Sequence, residues 1–311
     1  MSTAIGANTF LAALRDHQNG DGGWGWHKET RSRVEPTCWA ISALGAERNS
    51  SDDSIALTEA RRYLIAEQEN RGFWTATPEM KSGSWVTSLA CAVLANREDA
   101  DSAVAAGMAW LCNDYPLDSN PALRFVRRIL SKDVSSKHND SFRGWGWTPR
   151  TSSWVEPTAF ALLAFEESRA ERWPSAAWQR RELAVALLYD RMCPGGGWNC
   201  GNPRVYGVAG EALILPTAWA LIALQAFPEN DKKSLSLAWL EAEMPQIESP
   251  GSLAVASMCL EAYGKRLPAT SLNLRECSPE GLLEDGIHVL AWVSLALNPN
   301  RAWPAGVRGV R

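Results

Sequence analysis

The sequence lacks the charge and cysteine patterns on which several classes of function depend. Lys and Arg number 31 against 35 Asp and Glu, which gives a net charge of −4. Proteins that bind nucleic acid normally carry a basic surface. The seven cysteines never form a Cys-x-x-Cys motif and have no spacing typical of a metal site. We therefore expect no nucleic-acid partner, and we expect reduced cysteines in a reducing compartment.

Long apolar runs are also missing. The N-terminus, MSTAIGANTFLAALRDHQ, has no basic segment followed by the apolar core of a secretory signal. No run of 18 apolar residues is present, so no membrane-spanning helix is expected. We therefore expect a cytoplasmic protein. Strand-like alternation of useful length is absent as well, which favours a helical fold.

Tryptophan is abundant and lies beside glycine. The chain has 16 Trp but only 5 Tyr and 7 Phe. The phrase GWGWHKETRSRVEPTCWAISAL (23–44) returns as GWGWTPRTSSWVEPTAFALLAF (144–165), and 12 of the 22 aligned positions are identical. Repetition at this distance indicates that one supersecondary unit is used several times.

Six units share one plan, in which an amphipathic helix, a Gly/Trp loop and a second, Ala-rich helix follow each other. The second helices begin near residues 36, 84, 157, 216, 252 and 286. They are apolar on almost every face, which predicts burial on all sides, whereas the first helices carry a polar side. We predict an all-α fold, an α/α-toroid of six hairpins, in one domain over 1–300. A basic helical segment is inserted at about 113–143, and 301–311 forms a flexible basic tail.

The phrase QNGDGGWGW (18–26) resembles the QW repeat of squalene–hopene cyclases and other protonation-initiated terpene cyclases. The resemblance covers roughly residues 7–297, and the β subunits of protein prenyltransferases share the toroid. It implies that the chain binds an isoprenoid or related lipid in a Trp-lined central cavity and cyclises it after protonation. Two alternatives stay open: a non-enzymatic toroid scaffold for protein interaction or lipid binding, and a protein similar to a prenyltransferase β subunit.

The resemblance also implies candidate catalytic residues. The related cyclases carry an Asp-x-Asp-Asp motif before an inner helix, and its middle Asp is the proton donor. Here RVEPT and WVEPT occupy that place, so Glu35 or Glu156 takes the middle position, while proline replaces the last Asp. A structural alternative is that each acid only complements the positive end of the helix dipole.

Asp285 and His288 form a D-x-x-H phrase at the start of the sixth inner helix. A similar phrase supplies a zinc ligand in prenyltransferases, but the Asp-x-Cys pair that those enzymes also need is absent. One His and one Cys fall short of the four ligands that zinc usually has. We therefore predict no metal and no cofactor, and we expect Asp285 and His288 to modulate the acid or to act as the base. Alternatively, His288 lines the cavity and is bonded to Asp285.

The tryptophans divide into two groups by position. Those in the loops are expected to stiffen the ring between helices: Trp24, Trp26, Trp74, Trp145, Trp147 and Trp198. Those in the first turns of inner helices are expected to form the cavity wall and to bind substrate, together with Cys38: Trp39, Trp85, Trp219 and Trp292. Aromatic faces attract cations, which suits a wall that surrounds a carbocation.

The inserted segment contains PALRFVRRILSK (121–132), a basic amphipathic helix by its spacing. Such a helix either packs over the ring with a solvated basic face or lies on an anionic membrane surface. The second interpretation predicts peripheral membrane contact.

Overall fold

The computed structural model describes residues 7–45, 51–117, 139, 141–168, 173–205, 208–265, 273–274 and 276–298. Within them lie twelve α-helices: α1 (Ala7–Asp16), α2 (Val34–Leu44), α3 (Ser51–Ala66), α4 (Val86–Leu94), α5 (Asp101–Asn113), α6 (Val155–Glu167), α7 (Ala177–Asp190), α8 (Ile214–Leu224), α9 (Asp231–Glu243), α10 (Pro250–Ala262), α11 (Pro279–Asp285) and α12 (Ile287–Leu297). A short antiparallel pair, β1 (Arg204–Val205) and β2 (Val208–Ala209), lies between α7 and α8.

The even-numbered helices form a closed circuit of contacts. Helix α2 packs on α4, α4 on α6, α6 on α8, α8 on α10, α10 on α12, and α12 returns to α2. Each odd-numbered helix packs against one or two members of this circuit; α1, for example, contacts α2 and α12. The described part of the chain is therefore all-α, as predicted, and contains six inner helices and six outer ones.

Burial separates the two sets of helices. Every residue of α2 and of α4 is buried, whereas α9 buries only Lys233, Ser236 and Leu240. Ala-rich helices without a polar face have no favourable position except between other helices. The predicted division into buried inner helices and water-facing outer helices is confirmed for these elements.

The first tryptophan of each Gly/Trp loop holds one helical pair together. Four indoles, each at most 2% exposed, donate to a carbonyl near the end of the outer helix before them over 2.6–3.0 Å. Their backbone N–H groups donate to a threonine hydroxyl of the following inner helix over 2.8–3.0 Å. The residues are Trp24 with Thr37, Trp74 with Thr87, Trp145 with Thr158, and Trp198 with Thr217. The repeated phrase thus encodes one repeated set of hydrogen bonds.

A second contact links three of these four loops to the preceding unit. The carbonyl of Trp147 accepts from the N–H of Trp85 over 3.2 Å, and that of Cys200 accepts from Val155 over 3.3 Å. The carbonyl of Trp26 accepts from the N–H of Ile287 over 2.9 Å. N–H groups in the first turn of a helix have no partner within the helix, so these loops cap the inner helices. The Trp26–Ile287 bond joins the last unit to the first.

The three inner helices that carry a Pro-Thr dipeptide begin earlier than the sequence suggests. Pro36, Pro157 and Pro216 are the third residues of their helices, and not the first. The missing N–H still costs nothing, because the first four N–H groups have no intrahelical acceptor. As a result Glu35 and Glu156 are the second residues of α2 and α6, inside the helix and not before it.

Two predicted elements fall outside the described residues: the basic helix 121–132 and the tail 301–311. Among the helices that are described, none is long and apolar enough to cross a lipid bilayer.

Candidate functional site

Four aromatic side chains from four inner helices meet at one level of the ring. They occupy the sixth position of their helices: Trp39 in α2, Phe160 in α6, Trp219 in α8 and Trp292 in α12. The ring centroids of Trp39 and Trp219 are 5.3 Å apart, and those of Trp39 and Trp292 are 5.4 Å apart. Phe160 lies 5.3 Å from Trp219. We call these four residues the aromatic layer.

The aromatic layer crosses the axis of the ring. Helices α6 and α8 are not neighbours of α2 in the circuit of inner helices, yet Trp39 contacts Phe160 and Trp219. These contacts therefore bridge the centre. All four rings are buried, with exposed fractions of 1–8%. The expected aromatic cluster is present, and at this level its rings pack against each other, so an open Trp-lined cavity stays a prediction.

One helical turn nearer the N-terminal ends lies a more polar ring, which we call the rim. Its members occupy the second position of the helices, four residues before the aromatic layer: Glu35, Glu156, Leu215 and His288. Residues four apart lie one above the other on a helix face. Trp85, just before α4, completes the rim and stacks on Phe160 at 5.6 Å. Except for Glu35, these side chains are partly exposed.

Glu35 is a buried acid without a cationic partner. It is 9% exposed, and among the described residues no Lys or Arg lies within ion-pair distance. Burial raises the pKa of Glu35 to about 8, the Trp39 hydrogen bond opposes that rise, and the charge of Glu156 adds to it. The Trp39 indole donates to the Glu35 carboxyl over 3.4 Å. Glu35 therefore holds a proton at neutral pH.

Glu156 has the same place in the repeated phrase as Glu35, but its side chain is more exposed to solvent. It is partly exposed, and burial raises its pKa to about 7. Its charge acts on Glu35 although α2 and α6 are not adjacent in the circuit. The two acids therefore face each other across the same end of the ring.

His288 lies in the rim, whereas Asp285 lies outside it. The edge of Trp26 packs on the His288 ring at 5.3 Å, and His288 contacts Trp292 at 5.0 Å. Burial lowers the pKa of His288 to about 4, so the imidazole is neutral, with a smaller contribution from His27 in the same direction. Asp285 is exposed. The Nδ1 atom of His288 is buried and has no hydrogen-bond partner, so the expected bond from this nitrogen to Asp285 is not formed.

Two further candidates, Trp85 and Cys38, lie in different parts of the structure. Trp85 packs its ring against Trp147 at 5.1 Å, at the rim. Cys38 is completely buried, and its pKa is raised well above the usual value by burial, with smaller contributions from Glu35 and from Cys91 of α4. It is a core thiol on the side of α2 toward α4.

Two aromatic residues at the site were not predicted there. Phe160 belongs to the aromatic layer, and aligning the inner helices on their Pro-Thr dipeptides would have placed it opposite Trp39. Trp26 was assigned to the stiffening group, yet its ring contacts His288. No group of three or more His, Cys, Asp or Glu with metal-site geometry occurs in the described part of the chain.

Solved structures of other proteins resemble this chain in fold. A crystal structure of a protein from Actinoplanes is 18% identical, covers 94% of this chain and 97% of its own, and gives a TM-score of 0.64. The type II terpene cyclase MstE from Scytonema, as a variant in complex with geranylgeranyl dihydroxybenzoate, is 16% identical, with 89% and 77% coverage and a TM-score of 0.57. A second MstE variant with the same substrate covers 96% of this chain and 79% of its own at a TM-score of 0.55 and 16% identity. No family model and no curated protein sequence matches. The chain has a terpene cyclase-like fold.

Proposed function

We propose that this chain is an α/α-toroid that binds an isoprenoid or a related apolar molecule at the rim and starts its cyclisation by protonation. Glu35 is the proton donor in this proposal. The observation that carries it is a buried, protonated acid directly above a layer of four aromatic rings. The fold likeness to MstE, which was solved in complex with its substrate geranylgeranyl dihydroxybenzoate, supports an isoprenoid chain in the ligand.

The proposed chemistry follows from the acids of the rim and the aromatic layer beneath them. Glu35 transfers its proton to a terminal alkene carbon and becomes a carboxylate, and the alkene becomes a tertiary carbocation. Neighbouring alkenes of the same molecule then attack the cation and close rings. Aromatic faces attract positive charge, so the aromatic layer stabilises the carbocation. In this proposal the neutral His288 imidazole takes the final proton, and Glu156, which is partly exposed, returns a proton to Glu35.

Product formation tests this proposal. The purified protein is incubated with geranylgeraniol, and extracts are separated by gas chromatography with mass detection. We expect cyclic isomers of the substrate with wild type, and at least a 100-fold loss with Glu35→Gln, since a positioned general acid contributes about 10²–10⁴ in rate. Glu182→Gln on the exposed face of α7 is the matched control. Cyclic products at the wild-type rate from Glu35→Gln would rule out this donor.

One observation favours a second function, a toroid scaffold without catalysis. The aromatic layer packs ring to ring across the axis, with centroid distances of 5.3–6.0 Å, as a structural core would. A scaffold predicts that no isoprenoid co-purifies with the protein, which extraction and mass spectrometry of the expressed protein would show.

A further inference from the structure

Two buried nitrogen atoms at the junction of the last and first units have no hydrogen-bond partner. They are Nε1 of Trp292 and Nδ1 of His288. Trp292 is 8% exposed, and the two rings are 5.0 Å apart. A buried polar group without a partner is destabilising, and most such groups in native proteins bind a protein atom, water or a ligand.

The chemistry of the two nitrogens selects the partner. An indole N–H is a donor only, and a neutral imidazole has one N–H that either ring nitrogen can carry. Both atoms therefore suit an oxygen that accepts hydrogen bonds. The protonated Glu35 carboxyl, which lies one turn from Trp39 in the same site, is a third donor of this kind.

The charge of the site excludes an anionic partner. Within the described residues, no Lys or Arg pairs with Glu35 or Glu156. The His288 pKa is lowered, so its ring brings no positive charge at neutral pH. A diphosphate or a carboxylate at this place would meet the negative charge of Glu156, which no Lys or Arg among the described residues neutralises, and this is unfavourable in a site of low polarity.

We infer that Trp292 and His288 form a subsite for an uncharged oxygen, such as a hydroxyl or carbonyl group, on the isoprenoid ligand. This inference rests on the proposed function and names the class of ligand: an oxygenated, uncharged isoprenoid and not a diphosphate. Both nitrogen atoms are buried away from solvent when no ligand is bound. The partly exposed His288 ring, against which Trp26 packs by its edge, must therefore turn for the oxygen to reach them.

Three probes of equal chain length test the inference: farnesol, the hydrocarbon farnesane and farnesyl diphosphate. Affinities are measured by tryptophan fluorescence titration at pH 7. We expect farnesol to bind at least threefold more tightly than farnesane and more tightly than the diphosphate. Trp292→Phe keeps a ring but removes the N–H, and it should weaken farnesol binding roughly fivefold, the equivalent of one neutral hydrogen bond, while farnesane affinity changes less than twofold.

Trp219→Phe is the matched control, because it makes the same change in the same layer. It should alter the affinities for farnesol and farnesane by the same factor. A direct readout is the indole N–H resonance of Trp292, assigned by its absence in Trp292→Phe, which should move on addition of farnesol and not of farnesane.

The outcomes separate the two proposals. Equal affinities for farnesol and farnesane, or a Trp292 resonance that farnesol leaves in place, would overturn the subsite while isoprenoid binding stands. Tighter binding of farnesyl diphosphate would overturn the uncharged class. If none of the three probes binds, the proposed function fails and the subsite fails with it.

Discussion

Glu35 lies one helical turn above Trp39, and the Trp39 indole donates a hydrogen bond to its carboxyl over 3.4 Å. Trp39 is itself held from three sides by Phe160, Trp219 and Trp292. The orientation of the acid is therefore fixed by a side chain that has little freedom to move. An acid in this position is close both to the aromatic layer and to the partly exposed rim.

Glu35→Gln should make the free energy of unfolding depend less on pH than it does in wild type. The folded pKa of about 8 lies above the ordinary value of 4.5, so the folded chain holds a proton that the unfolded chain releases. This contribution to stability is complete below pH 4.5 and is lost as the pH rises to about 8. We expect the variant to be more stable than wild type at pH 8, by on the order of 4 kcal/mol, and similar at pH 4.

Urea unfolding at pH 4, 6 and 8 measures this difference. Glu156→Gln should show a smaller effect that ends near pH 7, because its pKa is raised less. Parallel pH profiles of wild type and Glu35→Gln would contradict a protonated Glu35.

Trp24→Phe should destabilise the chain by about 1–3 kcal/mol, since it leaves the buried Leu14 carbonyl without the indole donor. Trp178→Phe on the outer surface, where the side chain is 53% exposed, should change stability by less than about 0.5 kcal/mol. The midpoints of urea unfolding give both values. A similar cost at the two sites would mean that the indole bond to the outer helix does not stabilise the unit.

Gly286→Ala should destabilise the contact between the last and the first unit, which closes the circuit of inner helices. Gly286 has φ 120°, and an added Cβ would lie 2.8 Å from Nδ1 of His288 and 3.1 Å from the Trp26 carbonyl. We expect the backbone strain to lower the free energy of unfolding by about 1–3 kcal/mol. Gly281→Ala is the control, because its Cβ would meet only the Ser278 hydroxyl at 3.2 Å and alanine favours a helix. Equal stabilities of the two variants would show that closure tolerates a side chain at Gly286.

The sequence predicted much of the fold, because the repeated phrase encodes local contacts. The bond from Trp24 to Leu14, ten residues away, recurs at Trp74 and Trp198. The bond from Trp24 to Thr37, 13 residues away, recurs at Trp74 and Trp145. The site was predicted less completely. Glu35 and Glu156 share the phrase VEPT, yet one is buried and the other partly exposed. That difference comes from neighbouring helices, which differ between the two units, and a local pattern does not contain it.

The closure of the ring illustrates the same limit. The Trp26 carbonyl accepts from Ile287, 261 positions later in the chain, and this contact brings His288 onto the Trp26 ring. Only the order of the units around the circuit places these residues together. The sequence could therefore name His288 as a candidate but not its aromatic neighbours.

Deuterium incorporation tests the central claim most directly. The protein is exchanged into D₂O and incubated with geranylgeraniol, and the mass of each product is measured. If Glu35 starts the reaction by protonation, cyclic products from wild type carry one deuterium on carbon, and Glu35→Gln forms none of them above background. Cyclic products without deuterium, or deuterated products formed equally well by Glu35→Gln, would contradict the account.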